Sequence, residues 1–532
     1  MELRSTLFRH LDGIAIAPTV SALQERGITN FIQDNPHFTF QGIHEKFETN
    51  SGYLNVALRI LASQGWLIRN ILQDGEEIEF ELTDKGREAF SLAPIYTSFC
   101  KFIPVLIELD RYLFDPNARS VQENLQNLIE QYRYFNQSHS DPNSVGWEIA
   151  RHLEGIIAGP ILVALGMSEY FAECLENDGL IDEEMEGEAL PLISSVMDFF
   201  LLLNWLETEN GQSRFTDEGL FFLRRSAAYG VTVSYLPTFN HVPVLLYDNP
   251  NIIWKRTPEG LETHVNRRMN VWGSGGAHSL YFRKIDEIII HIFNQPLNDQ
   301  PIGIADMGCG DGTLLMHLHN VVKNQTERGK HLNIYPLKII GADFNKAARL
   351  ASSITLKEAG IEHSILHGDI SSPSAYAENL QDQYHLDLRQ MLNVRSFLDH
   401  NRIYSPPKKP FHDRICNSTG AFAFRGRWIP NNELKQNLVE HFAAWTKYVN
   451  KYGLLILELH TVNPKLTAEN LGKTTATAYD GTHGYSDQYI FEVDVVLEAA
   501  KEAGLIPDPQ YQARFPNDEL ATISINLFQA GS

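Results

Sequence analysis

A chain of 532 residues exceeds what one hydrophobic core supports, so two to four domains are expected. Its 43% apolar content is that of a globular protein; no apolar run reaches the roughly 18 residues that a bilayer span needs, and residues 1–9 carry mixed charge instead of a secretory pattern, so a cytoplasmic protein with no membrane partner is expected. A net charge of −22 argues against nucleic acid as a partner, because phosphate backbones are held mainly by Lys and Arg. Four scattered cysteines without C-x-x-C spacing argue against a disulfide framework or a structural zinc site, which leaves His, carboxylate or amide ligands for any metal.

The first 250 residues contain a repeat. His10-Leu11-Asp12-Gly13-Ile14 with Pro18 returns as His152-Leu153-Glu154-Gly155-Ile156 with Pro160, Trp66-Leu67 returns as Trp205-Leu206, and Leu82-Thr83-Asp84-Lys85-Gly86 returns as Phe215-Thr216-Asp217-Glu218-Gly219. In each copy a helical apolar period leads into a Trp-Leu strand, a polar turn (Gln73 to Glu76; Glu209 to Gln212), a second strand and the T-D-x-G ending, the order of a winged helix. The helix that would enter a DNA groove, 51–63, carries only Arg59 as a base, which argues against DNA binding. The spacing predicts a first module over 1–116, a polar helical connector over 117–145 with its helix at 121–135, and a second module over 146–262.

From Pro301 the pattern becomes α/β, with strands alternating with helices as in a doubly wound parallel sheet. The expected strand 302–307 ends in Asp306 and runs into Gly308-Cys309-Gly310-Asp311-Gly312 and a helix, a D-x-G-x-G-x-G turn that brings backbone close to a ligand. A second strand, 337–343, ends in Asp343 followed by Phe344, a carboxylate suited to both hydroxyls of a ribose. A third, 364–370, ends in Gly368-Asp369-Ile370, suited to an adenine amine and ring. Together these resemble the cofactor motifs of class I (Rossmann-like) S-adenosylmethionine-dependent methyltransferases, which places the catalytic domain at 263–532. Many small-molecule O-methyltransferases carry an N-terminal winged helix that pairs subunits and roofs the active site. The resemblance implies that a second copy can replace the partner subunit and leave the enzyme monomeric, with a solution mass near 60 kDa rather than twice that.

Upstream, Asn270-Val271-Trp272-Gly273-Ser274-Gly275-Gly276-Ala277-His278 reads as a small-residue turn, either a cofactor or substrate entry or a domain hinge, before a helix at 280–293. A fourth strand, 386–393, ends at Asn393 and precedes Val394-Arg395-Ser396-Phe397-Leu398-Asp399-His400. O-methyltransferases place their general-base His in this segment, where this chain has Ser396, with His400 nearby but out of register. Residues 401–430, a lid insert, carry six basic residues (Arg402, Lys408, Lys409, Arg414, Arg425, Arg427) against Asp413 alone, which is either a solvated loop or a surface for an anionic substrate or partner. A fifth strand, 454–460, ends at His460, and 478–489 reads as a polar aromatic loop. His460, His483 and Gln488 offer the nitrogen and oxygen ligands that a mononuclear iron, manganese or cobalt prefers; the alternative is ordinary polar contacts of a lid.

N-V-W-G-S-G-G-A-H at 270–278, D-M-G-C-G-D-G at 306–312, N-V-R-S-F-L-D-H at 393–400 and the His460 and His483 regions resemble the metal-dependent C-methyltransferase domains of polyketide synthase loading modules. That resemblance implies methylation of the α-carbon of a malonyl group on an acyl carrier protein, in polyketide starter-unit biosynthesis and within a larger synthase. It also implies a mononuclear Fe or Mn acting as Lewis acid at His460, His483 and Gln488, with S-adenosyl-L-methionine held by Asp306, Gly308, Gly310, Gly312, Asp343, Phe344, Asp369, Ile370 and Asn393. His400, Tyr479 and His460 are the expected catalytic groups, and Lys408, Lys409, Arg425 and Arg427 are expected to meet the carrier protein. The other enzymatic reading is methylation of a free small molecule, at oxygen or at the carbon of a 2-oxo acid.

Overall fold

In the computed structural model the two copies of the H-L-x-G-I motif lie inside two long helices, Leu3–Glu25 and Val145–Gly166, that pack against each other. The structure describes residues 3–72, 77–177, 179–181, 190–209, 212–258 and 262–531; the expected turns at 73–76 and 210–211 lie outside them. The chain divides into two compact units, one of Met1–His278, Ala421–Trp428 and Asn463–Asp487, the other of Ser279–Gly420, Ile429–Val462 and Gln488–Ser532.

The first unit holds the duplicated winged-helix-like modules. A Cβ on Gly13 would fall 2.3 Å from the His152 backbone, and one on Gly155 would fall 2.4 Å from His10, so the motif glycines let the two helices cross at contact distance. The polar residues of the motif exchange partners across the same contact: His10 Nδ1 bonds Tyr229 Oη of the second copy, and His152 Nδ1 bonds Tyr96 Oη of the first, each at 2.8 Å. In the T-D-x-G endings, Thr83 and Thr216 are N-caps that accept from Gly86 N and Gly219 N, and Trp66 and Trp205 are buried beneath them. Helix Val145–Gly166 is long and apolar enough to cross a membrane, which the run-length reading did not expect; 89% of its apolar window is buried inside the protein. Arg59, the one base of helix Ser51–Ser63, is buried and paired with Asp480 at 2.9 Å.

One position breaks the duplication. Burial would raise Glu154, but Arg151, His10 and Tyr132 bring it down to about 2. Its counterpart Asp12 is one methylene shorter; it accepts from Gln64, its Oδ1 and His152 Nε2 have no hydrogen-bond partner, and burial pushes it up to about 7. A carboxyl raised in the folded state from 3.8 to about 7 contributes stability below pH 4 that is lost as the pH rises through 7. Asp12→Asn therefore gains stability over wild type between pH 5 and pH 8, by about 2–3 kcal/mol. Equal melting differences at both pH values would refute this.

In the second unit the sheet strands, in chain order, are β1 (Gly303–Met307), β2 (Lys338–Asp343), β3 (His363–His367), β4 (Met391–Ser396), β5 (Leu454–Leu459), β6 (Leu505–Pro507), β7 (Ala513–Phe515) and β8 (Ile523–Ala530). They run in the order β3-β2-β1-β4-β5-β8-β6, with β7 also on β8. Strands β1 to β5 are parallel and β8 is antiparallel to β5, the Rossmann-like methyltransferase fold. β1 and β5 are buried along their whole length, as continuous apolar strands covered on both faces must be.

Three local expectations need correction. Residues 270–278 are not a turn but part of helix Arg267–Phe293: Gly273 is small because it meets Gly230 of helix Ala227–Ser234, where a Cβ would fall 2.6 Å from Val231 N. Residues 478–484 are not a loop but lie in helix Ala476–Gly484, and 463–487 fold with the first unit, where Ser63 and Gln64 bond Thr477 and Thr19 bonds Tyr485. β4 starts at Met391 and ends at Ser396, so Asn393 is internal to it.

Candidate active site

The carboxyl ends of β1, β2 and β3 form one half of the site. Gly308, Gly310 and Gly312 all have left-handed φ (82°, 53°, 85°), and Gly312 caps helix Thr313–Gln325. A Cβ on Gly310 would touch nothing within 4 Å, so the turn leaves an open cradle. Asp343 ends β2; its Oδ2 accepts from Gly310 N (3.3 Å) and its Oδ1 from Asn345 N (2.7 Å), which fixes the carboxylate over that cradle. Asp306 is 1% exposed, its Oδ1 has no hydrogen-bond partner, and burial followed by the charge of Asp343 pushes it up to about 8. After β3, Asp369 Oδ1 accepts from Ser371 N, Ile370 is buried with its carbonyl on the Trp445 indole N–H, and Phe344 stands 58% exposed with its ring 5.3 Å from that of His367. An open glycine cradle, a fixed carboxylate and an exposed aromatic fit the sulfonium, ribose and adenine parts of S-adenosylmethionine. Asn393 does not join them: buried within β4, its amide donates to Leu388 O and Met391 O and ties down the strand entry.

The carboxyl ends of β4 and β5 form the other half. Phe397 has a left-handed φ of 52°, a strained value for an aromatic residue, and this kink ends the strand and turns the chain inward. Leu398 then packs on Gly308, where a Cβ would meet its Cδ2 at 2.8 Å, and Asp399 and His400 follow it in the chain. They line a small cavity of about 20 Å³, with Arg402, Glu458 and Tyr489 among its polar walls. His400 Nδ1 lies 2.6 Å from Glu458 Oε1, and Glu458 also accepts from Leu459 N and His400 N. The carboxylate therefore holds Nδ1 protonated and makes Nε2 the basic nitrogen. Asp399 takes Arg395 Nη1 at 2.5 Å and His441 Nε2 at 2.8 Å; despite its burial these partners keep it far below the usual carboxylate range. Glu458, Asp399, Arg402 and His441 were not singled out in the sequence, although the Leu457-Glu458-Leu459-His460 strand end offered Glu458 as plainly as His460.

His460 is not among the residues that line this pocket. His460 is fully buried, with Nδ1 on Phe491 O (3.0 Å) and Nε2 on Ser524 Oγ (2.7 Å), so both ring nitrogens serve the packing of β5 against β8. Burial lowers it to about 4 and keeps it neutral. His460 and Gln488 belong to the second unit, His483 and Tyr479 to the first; His483 Nδ1 bonds Tyr479 O, and burial raises the Tyr479 hydroxyl, which disfavours a phenolate base. Among the described residues no three His, Cys, Asp or Glu side chains gather at metal-binding distance. His460, with both ring nitrogens bonded, does not fit the implied iron or manganese.

Three family models match the chain in order: an AprA N-terminal domain at residues 3–69, an AprA winged helix domain at 154–249 and an AprA MT2-like domain at 262–526. No curated protein matches at a significant level. Among solved structures, the S-adenosylmethionine-dependent methyltransferase SibL is 15% identical (70% of this chain, 96% of that one, TM-score 0.37) and the CurJ carbon methyltransferase 13% (82% and 99%, TM-score 0.33). An O-methyltransferase family 2 protein from Planctomyces limnophilus DSM 3776 is 10% identical (99% and 96%, TM-score 0.37).

Proposed function

Because the chain belongs to the AprA-like methyltransferases and is an S-adenosylmethionine-dependent methyltransferase, we propose that it methylates the α-carbon of a malonyl group carried on an acyl carrier protein, as a step in making a polyketide starter unit. The observation that carries this reading is the buried His400–Glu458 pair lining the pocket at the carboxyl ends of β4 and β5. The cofactor supplies an electrophilic methyl on a sulfonium sulfur. Asp343 holds its ribose, Phe344 and Ile370 flank its adenine, Asp369 receives the adenine amine, and the glycine turn with Asp306 takes its methionine part. His400 Nε2 removes the proton from the acyl α-carbon, made acidic by the thioester carbonyl; the enolate carbon bonds the methyl as the methyl–sulfur bond breaks and S-adenosylhomocysteine leaves, and Glu458 stabilises the imidazolium that results. No step is assigned to a metal, since both nitrogens of His460 are bonded within the sheet.

Intact-mass analysis of malonyl-loaded carrier protein after incubation with the enzyme and S-adenosylmethionine tests the proposal, with and without a chelator. A methyl-sized gain supports it. No gain from an enzyme that binds the cofactor, together with methylation of a free 2-oxo acid or hydroxyl compound, moves the activity to small molecules. Loss of the gain with chelator and its return with iron or manganese would restore the metal, on ligands other than the His460 trio.

The carrier is expected to dock at Lys408 and Lys409, which are exposed on backbone held by Glu440. Arg425 is less suited, being paired with Asp487 and stacked on Trp254. Replacing both lysines by Glu raises KM for the carrier-bound substrate about tenfold, the cost of a few surface charges at a docking site, and flattens its salt dependence. A malonyl thioester of N-acetylcysteamine, which has no carrier, is turned over as before; an equal loss on both substrates would sink the docking assignment.

A further inference from the structure

The cavity at His400 holds about 20 Å³, room for one water molecule, and His400 is 7% exposed. An acyl group therefore reaches Nε2 only if part of the wall moves. Most of the wall is regular structure: Leu438 and Phe442 of helix Asn431–Val449, Ile456, Glu458 and Leu459 of β5, and Val496 of helix Val493–Glu502. Displacing any of these breaks backbone hydrogen bonds or opens the core. Arg402 stands on a segment of another kind. Residues 402–410 enter no helix or strand, and Pro406, Pro407 and Pro410, each without an N–H and with a fixed φ, stiffen them. Side chains alternate along the segment, Arg402 and Tyr404 buried, Ile403 and Ser405 exposed. Its inner face covers the site: Arg402 lines the cavity, and the Tyr404 ring lies 6.4 Å from that of Tyr489, another lining residue.

A polar stripe holds the segment down. Glu433, Asn437 and Glu440 share one face of helix Asn431–Val449 at i, i+4 and i+7. Glu433 accepts from Tyr404 Oη. Asn437 accepts from Arg402 Nε and donates to Ser405 O, both at 2.8 Å, and Glu440 accepts from the backbone N–H groups of Lys408 (2.9 Å) and Lys409 (2.8 Å). Each of these bonds can be traded for one to water at small net cost, which a buried apolar contact cannot. Burial disfavours the Arg402 cation and pulls it down to about 10 against the opposing pull of Tyr489, Asp399 and Glu458, so its hydration on lifting offsets part of what is lost. We infer that residues 402–410 are a strap over the acceptor pocket, latched by Glu433, Asn437 and Glu440, which lifts to admit the acyl group to His400 and closes to exclude water. The inference rests on the proposed role of His400 as base. Lys408 and Lys409 lie on the strap, so carrier docking and pocket opening act on one segment.

A reducible bridge tests the strap. Ser405→Cys with Asn437→Cys, joined by ethane-1,2-diyl bismethanethiosulfonate, ties the segment to the helix, and dithiothreitol releases it; Asn437→Cys alone, treated alike, controls for the native cysteines. Two rates are measured on the same protein before and after release: methylation of malonyl-carrier, and acylation of the His400 imidazole by diethyl pyrocarbonate, followed by peptide mass. Bridging is expected to slow both at least tenfold and release to restore them, with S-adenosylmethionine affinity unchanged and the exposed His37 acylated equally throughout. Equal acylation of His400 in the bridged and released protein overturns the strap, and so does undiminished methylation, which leaves the proposed function standing. Slower acylation when bridged, with no methylation of malonyl-carrier even by wild type, keeps the strap and removes the malonyl reading. Glu440→Gln needs no bridge: its neutral amide offers one acceptor oxygen to two N–H groups, so the lifted form gains and His400 is acylated about tenfold faster than in wild type. An equal rate overturns the latch.

Discussion

His400→Asn lowers kcat by about 10²- to 10⁴-fold with affinity for S-adenosylmethionine unchanged, the size of effect expected when a positioned general base is removed. The substitution is chosen for its geometry. An Asn amide nitrogen takes the place of Nδ1, keeps a donor for the Glu458 carboxylate 2.6 Å away, and spares Glu458 the penalty of a buried, unpaired charge. What disappears is Nε2. The backbone of residue 400, whose carbonyl accepts from Tyr489 N, is untouched, so the pocket keeps its shape. Glu458→Gln tests the other half of the pair: without the charge the imidazolium formed in the step is less stabilised, and kcat falls, by less than in His400→Asn. Full activity of His400→Asn in a protein that binds the cofactor would remove His400 from the chemistry.

Asp343→Asn weakens S-adenosylmethionine binding about 10- to 100-fold, read by calorimetry, with a much smaller change in kcat at saturating cofactor. Hydrogen bonds to a charged acceptor are worth about 1.5–3 kcal/mol each, and Asn keeps only one acceptor oxygen of the two. That oxygen has to serve either Gly310 N or Asn345 N, so the variant also loosens the glycine turn. A second consequence separates this from simple unfolding. The Asp343 charge helps, after burial, to push Asp306 up to about 8; without it Asp306 titrates at lower pH, and the pH dependence of cofactor binding moves the same way. Unchanged affinity in the folded variant would transfer the ribose contact to another residue.

Much of this was legible one segment at a time. The duplicated H-L-x-G-I and T-D-x-G motifs, helix Ser51–Ser63, the D-x-G-x-G-x-G turn and the acid ending β2 each depend on side-chain periodicity, a cap or a backbone conformation set within a few residues. Such features carry the same meaning wherever the segment lies. They were enough to place an α/β cofactor fold after two winged-helix-like modules.

The roles of individual polar side chains were a different matter, because a polar residue's chemistry depends on its partners and those come from remote parts of the chain. His460 looked as available as His400 in sequence; packing of β5 on β8 gave its nitrogens to Phe491 and Ser524, while the kink at Phe397 put His400 against Glu458. Gly273 read as a turn former until helix Arg267–Phe293 met Gly230, and Tyr479 read as an active-site loop residue until Asp480 paired with Arg59 in the first unit. Arg402 looked like one of six basic residues in a solvated insert, and its burial follows from where Asn437 and the backbone of Asp399 come to lie. Local backbone chemistry thus prescribes elements and turns, whereas desolvation and pairing, which exist only once the chain has closed on itself, decide which charges are spent on the fold and which remain for the substrate.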